Sequence, residues 1–125
     1  MKKMLVPVVA IAAVIFATAA VAQTKTHASA KGKVLTDSKG MTLYTFDKDA
    51  GGKSACNGAC ATNWPPLMAA ANAKPAKGYS VVMRDDGGKQ WAYKGKPLYT
   101  WKNDKKPGDI TGDGFLNGAW HIAKP

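Results

Sequence analysis

Few residues in this chain have side chains that could do chemistry, and their spacing narrows what that chemistry could be. Cys56 and Cys60 are separated by three residues. Thiolates so placed can hold a soft metal such as Cu(I) or cycle as a redox dithiol, and Met68 and His121 could complete a metal set if the fold brought them in. Ala61 follows Cys60, so the pair does not match the C-x-x-C-H signature of covalent haem. In an oxidising compartment Cys56 and Cys60 read more simply as a disulfide, closing a loop of about five residues worth roughly 2 kcal/mol. The stretch from Asp109 to Gly114 places oxygen side chains at positions one, three and five of a calcium loop and glycine at six. Position twelve, however, is Trp120 rather than glutamate, which favours a turn over a cation site. His121 has no nucleophile beside it in sequence and reads as a strand histidine with a hydrogen bond. No catalytic constellation emerges and no cofactor is expected, so the chain is read as non-enzymatic.

The clearest pattern is an internal repeat. Gly40-Met41-Thr42-Leu43-Tyr44-Thr45-Phe46-Asp47-Lys48-Asp49 aligns with Gly95-Lys96-Pro97-Leu98-Tyr99-Thr100-Trp101-Lys102-Asn103-Asp104 at an offset of 55 residues. On a strand, residues two apart share a face. Tyr44 and Phe46 therefore point one way with Leu43 and Thr45 opposite, as Tyr99 and Trp101 do against Leu98 and Thr100. Asp49 and Asp104 fall just past the strand ends, where a carboxylate can accept backbone N–H groups of the following turn. Two readings stay open for the motif: an aromatic core with a capped exit, or Tyr/Asp pairs at the mouth of a binding site.

These residues resemble a secreted repeat family of unknown function, described as predicted lipoproteins with a Tyr-x-(Phe/Trp/Tyr)-x-x-Asp motif. The resemblance runs from about Lys33 to Pro125. It includes Cys56-Asn57-Gly58-Ala59-Cys60, Trp64-Pro65-Pro66-Leu67, Arg84-Asp85-Asp86-Gly87, Gln90-Trp91-Ala92-Tyr93, Pro107-Gly108-Asp109 and Trp120-His121. It implies export and a paired-repeat domain, and it supplies no reaction or ligand. The lipid-accepting cysteine of a lipoprotein has no counterpart near the expected cleavage point.

The elements that must position these residues read as mainly β, a small antiparallel domain of two related β units. Turn residues Asp37 to Gly40 predict a hairpin between Lys33–Thr36 and Thr42–Phe46, and Asp85 to Gly88 predict another between Tyr79–Arg84 and Gln90–Tyr93. Strands are also expected over Leu98–Trp101 and Trp120–Ala123, with one short helical turn over Ala59–Asn63 that Pro65-Pro66 stops. Ala69 to Lys77 reads as a short helix or a loose connection. Repeat one is placed at about 33–67 and repeat two at about 79–125.

Residues 1–22 carry Lys2 and Lys3, an apolar run from Met4 and a small-x-small site at Ala20-Val21-Ala22, so a cleaved signal peptide is expected, with an uncleaved anchor as its rival. Cleavage leaves 103 of the 125 residues and lowers the formal charge from +10 to +8. No transmembrane segment is then expected, and the mature chain is exported, periplasmic or extracellular. Residues 23–32 read as a flexible linker with an inert His27. All eight acidic residues are aspartate. Lys89, Lys94, Lys96, Lys102, Lys105 and Lys106 interleave with Trp91, Tyr93, Tyr99 and Trp101, a pattern suited to single-stranded nucleic acid. Export makes an anionic envelope component or an envelope protein the expected partner instead.

Overall fold

The computed structural model describes residues 24–75 and 77–125, so the expected leader at 1–22 lies outside the described residues. In chain order the elements are β1 (Thr24–Ser29), β2 (Gly32–Asp37), β3 (Tyr44–Phe46), α1 (Ala59–Asn63), β4 (Tyr79–Met83), β5 (Lys89–Tyr93), β6 (Lys96–Pro97), α2 (Phe115–Gly118) and β7 (Trp120–Ile122). They form small antiparallel sheets: β1 with β2, β3 with β7, and β4, β5 and β6 together. The domain is mainly β, and no helix among the described residues is long and apolar enough to cross a membrane.

Turn chemistry sets the strand ends as expected. The Asp37 carboxylate accepts the N–H groups of Lys39 and Met41, and Gly40 takes the left-handed φ of 84° that closes the turn. At the β5–β6 turn Lys94 and Gly95 both have positive φ, 52° and 81°, the backbone of a two-residue hairpin turn. Helix α1 covers the expected residues and ends where Pro65-Pro66 cannot continue it.

Three expectations need correction. Thr24–Ser29, read as part of a flexible linker, is a strand paired in register with β2 from Thr24↔Asp37 to Ser29↔Gly32. Its side chains are largely exposed, so backbone pairing rather than an apolar stripe holds it, and hydrophobic periodicity carries no trace of that. Leu98–Trp101 is extended but forms no continuous ladder: Tyr99 alone bridges, to Tyr44 on one side and Pro66 on the other. Tyr44–Phe46 pairs along its length with β7 rather than with its hairpin neighbour, while the hairpin itself is held by Asp37 N–H to Met41 and Leu43 N–H to Leu35. Among its described residues the connection from Ala69 onward contains no helix, and α2 was not foreseen. Leu116 and Asn117 in α2 have φ of 57° and 56°, a left-handed turn that lacks a helical sequence signature.

The two repeats cross. Leu43 N–H donates to Leu35, Leu35 N–H to Ala123 and Ala123 N–H to Leu43, a closed ring of three backbone bonds in which the last strand comes from the second repeat. The second repeat contains the counterpart: Leu98 to Trp91, Trp91 to Leu67, and Leu67 to Leu98, with the outer strand supplied by the first repeat. At the centre Tyr44 and Tyr99 exchange backbone hydrogen bonds of 2.7 and 3.0 Å. Each repeat thus completes the other's sheet about an approximate two-fold axis between these tyrosines.

The alternation of faces fills two cores. Leu43 and Leu98 fall in one, with Leu35, Trp91 and Ala123. Tyr44, Tyr99 and Trp101 fall in the other, with Val34, Cys56, Trp64, Trp120 and Ile122. Its centre is a column of rings, Phe46–Trp120–Trp64–Trp101, with centroid spacings of 4.1, 3.8 and 4.0 Å. Trp64 and Trp120 lie parallel across the axis, 2° apart, and each receives the edge of its own repeat's tyrosine, Tyr44 at 5.3 Å and Tyr99 at 5.1 Å. Since each ring touches the other repeat, truncating one should loosen both. Trp64→Ala is expected to cost about 3–5 kcal/mol, measured by urea denaturation, with the loss shared by both repeats in amide exchange.

Candidate functional site

Strand β3 and the extended segment after β6 bring the two motif tyrosines back to back and send their side chains into the core, where both are fully buried. A phenol in such a place must both donate and accept. The Tyr44 hydroxyl donates to Asp104 Oδ2 at 2.6 Å and accepts the Gly112 N–H at 3.2 Å. The Tyr99 hydroxyl donates to Asp49 Oδ2 at 2.7 Å. With that hydrogen committed, the Ser54 hydroxyl 2.6 Å away donates to Tyr99. Both aspartates therefore belong to the opposite repeat from the tyrosine they serve. Each carboxylate also takes a backbone N–H from its own following loop, Ala55 for Asp49 and Thr111 for Asp104. The Tyr44/Asp104 pair is buried, whereas Asp49 is half-buried and lines a small pocket of about 230 Å³ beside Phe46, Lys96 and Pro97.

Burial first, and then the bond to Asp104, raises the Tyr44 phenol well above its ordinary 10.0. Tyr99 is raised likewise, chiefly by burial. Asp49 is pushed up by burial, against the lowering pull of the Ala55 N–H, Tyr99 and Arg84.

Arg84, the chain's single arginine, is buried at 3% exposure, and every arm of its fork is engaged. Nε reaches Asp86, one terminal nitrogen reaches Ser54 at 3.0 Å and Gln90 at 2.9 Å, and the other reaches the Cys56 carbonyl at 2.9 Å and Asn57 at 3.3 Å. A planar fork can satisfy so many acceptors where a lysine could not. Arg84 thereby ties the second repeat's hairpin to the cysteine loop. The signal available in sequence was its being the one arginine among lysines, and its role there went unread.

Cys56 and Cys60 form a disulfide, their Cα atoms 5.2 Å apart. Met68 and His121, proposed as further ligands, lie on other elements: Met68 pairs with Gln90 through its backbone and leaves its side chain half-exposed, and His121 Nε2 lies 2.8 Å from Asp47 Oδ2. Among the described residues no cluster of three or more His, Cys, Asp or Glu could hold a metal. The Asp109–Gly114 segment is likewise committed: Asp109 caps Lys105 and Lys106, and Asp113 pairs with Lys31. Lys106 and Lys31 hold these two carboxylates below the ordinary carboxylate range.

The expected interleaving of lysines and aromatic rings does not survive on the surface, because Trp91, Tyr99 and Trp101 are buried. What remains is a groove of about 410 Å³ between the β5–β6 turn and the β3–β7 ladder. One wall is Tyr93, Lys94 and Lys96, and the other is Asp47, His121 and Lys124. Three lysines and a single carboxylate thus line it, with the Lys124 ammonium donating to the Lys31 carbonyl. Lys94 lies over the Tyr93 ring at 5.1 Å and occupies the left-handed turn position that asparagine or glycine would fill with less strain. Lys124 and Asp47 were missed in the sequence, since only the pairing of β3 with β7 carries them to this wall.

Tyr44→Phe and Asp104→Asn should each cost about 1.5–3 kcal/mol, with the double variant well short of the sum; denaturant titration measures the cycle. Above the ordinary 10.0 the unfolded chain releases phenolic protons that the folded one keeps. The contribution of Tyr44 and Tyr99 to stability is therefore full below pH 10 and lost as pH climbs toward their folded values. Tyrosinate absorbance from these two should rise only together with loss of the near-ultraviolet dichroism.

The family described as a secreted repeat of unknown function matches twice, over residues 25–68 and 80–124. The first match takes in all but one residue of β1, and the boundary between matches falls at the connection before β4. No curated protein matches the chain, and neither does any solved structure. Two matches spanning nearly all of the described chain, on repeats that the fold crosses into one body, make this protein a member of that secreted repeat family.

Proposed function

We propose that this protein is an exported, non-enzymatic binding module that holds an anionic component of the cell envelope, through phosphate or carboxylate groups, in the groove between the β5–β6 turn and β7. The observation that carries this reading is the convergence of Lys94, Lys96 and Lys124 on one open groove. These lysines come from two different parts of the chain, the Lys124 ammonium resting on the Lys31 carbonyl at the groove's edge, and the acid in the lining, Asp47, already pairs with His121. A formal charge of +10 over the whole sequence adds long-range attraction.

Strain at Lys94 supports the same reading. A residue other than glycine, asparagine or aspartate at a left-handed turn position is a local cost, and here it places an ammonium group on the wall of the groove. Surface charges act over a Debye length of about 8 Å at physiological ionic strength, so attachment through this groove must weaken as salt rises.

The test is attachment of the full chain to envelope extract across a salt series. Binding should fall steeply with ionic strength, and the triple variant Lys94→Ala/Lys96→Ala/Lys124→Ala should bind at least ten-fold more weakly with an unchanged melting temperature. Lys94→Asn should hold or raise the melting temperature while weakening attachment, the signature of a residue kept for binding rather than for stability. Attachment that is indifferent to salt would overturn the proposal.

A further inference from the structure

The contacts that define the fold run between repeats. Tyr44 bonds Asp104 and Tyr99 bonds Asp49; Trp64 stacks on Trp120; Leu67 pairs with Leu98 and Ala123 with Leu43. None of these needs both partners to be on the same chain. We infer that either repeat can be completed by the opposite repeat of a second copy, so that this chain has a closed, two-fold exchanged dimer as a second assembly, with Tyr44 of each copy bonded to Asp104 of the other.

Two observations favour exchange at the repeat boundary. The first is the connection between Ala69 and Tyr79, which is anchored to the second repeat at its two ends, Ala69 N–H donating to Lys89 and Gly78 accepting from Lys94, and between these is held among the described residues by Ala73 N–H to Ala70 and by the exposed Lys89 ammonium on the Ala71 carbonyl. Drawn out, the chain between these points could span about 30 Å, enough to lead into a neighbouring body rather than fold back. The second is the only disulfide, Cys56–Cys60, which lies within the first repeat, so no covalent link opposes separation of the repeats. A closed interface built from the same contacts satisfies point-group symmetry and leaves no open end.

Concentration decides between the two assemblies. A short connection presents one repeat to the other at an effective concentration in the millimolar range. Dilute chains therefore close on themselves, and chains folding near that concentration exchange. Once formed, the dimer separates only by opening the aromatic core, so it persists on dilution. Each exchanged body rebuilds the lysine groove from both copies, since Thr45 and Asp47 come from the first repeat and Lys94, Lys96, His121 and Lys124 from the second. The dimer thus displays two grooves, although the inference itself does not depend on what they bind.

The experiment unfolds full-length protein labelled with nitrogen-15 and full-length protein labelled with carbon-13, mixes them at about 1 mM, refolds with the disulfide intact, and separates species by size. The expected result is a dimer with mixed labels in the 1:2:1 ratio of random pairing, with isotope-filtered contacts between Trp64 of one label and Trp120 of the other. Monomer alone at this concentration would overturn the inference, as would a dimer whose Trp64–Trp120 contacts stay within one label. Deleting Ala70 through Ala73 should shift the dimer to at least ten-fold lower concentration, and an unshifted distribution would count against exchange at this boundary. Loss of groove binding with exchange intact would bear only on the proposed function.

Discussion

A tyrosine hydroxyl taken out of water must find an acceptor, and a carboxylate beside it must find donors; the rest of this structure follows from how that requirement is met. Either repeat could have satisfied it internally. Instead each sends its aspartate to the other's phenol, with bonds of 2.6 and 2.7 Å. The crossing fixes the register of Tyr44 against Tyr99, which stacks Trp64 on Trp120 and sets the last strand of each repeat into the sheet of its partner. Without Asp104 the Tyr44 hydroxyl would keep the Gly112 N–H but lose the acceptor for its own proton.

The approximate symmetry is broken in the loops. After Asp49 the chain forms the disulfide and α1, clamped by Arg84. After Asp104 it forms a left-handed turn with Phe115 and Leu116 exposed. Both loops supply a group to the tyrosine they face, Ser54 to Tyr99 and Gly112 to Tyr44, so their duty to the core is equal while their outer surfaces differ. The groove is likewise one-sided, because its lysines come from the second repeat alone.

Much of this was legible in the sequence. Period-two alternation separated Tyr44 and Phe46 from Leu43, and the two cores keep that division. Turn residues marked the bends at Asp37–Gly40 and Asp85–Gly88, and the offset of 55 residues marked the paired units. What stayed hidden depends on long-range pairing. Nothing local in Asp49 says that its phenol is Tyr99, and nothing in Thr24–Ser29, polar and exposed, says that backbone bonds hold it to β2. The lysines beside Trp91 and Trp101 looked like a binding stripe because spacing alone does not tell a ring turned inward from one on the surface. His121 and Lys124 reach the groove only through the pairing of β3 with β7.

The crossed acids also constrain how the gene can drift. A change at Asp49 is felt first at Tyr99, fifty positions away and in the other duplicate, so neither half can wander at these positions without a compensating step in its sibling. The bends that carry the cystine and the left-handed tip are tied down on their inner sides, by Arg84 and Asp49 in one and by Asp104 in the other, which leaves their outer faces free to specialise. Duplication of such a unit yields one half of the chain that keeps the pair together and loop surfaces on which novelty can accumulate.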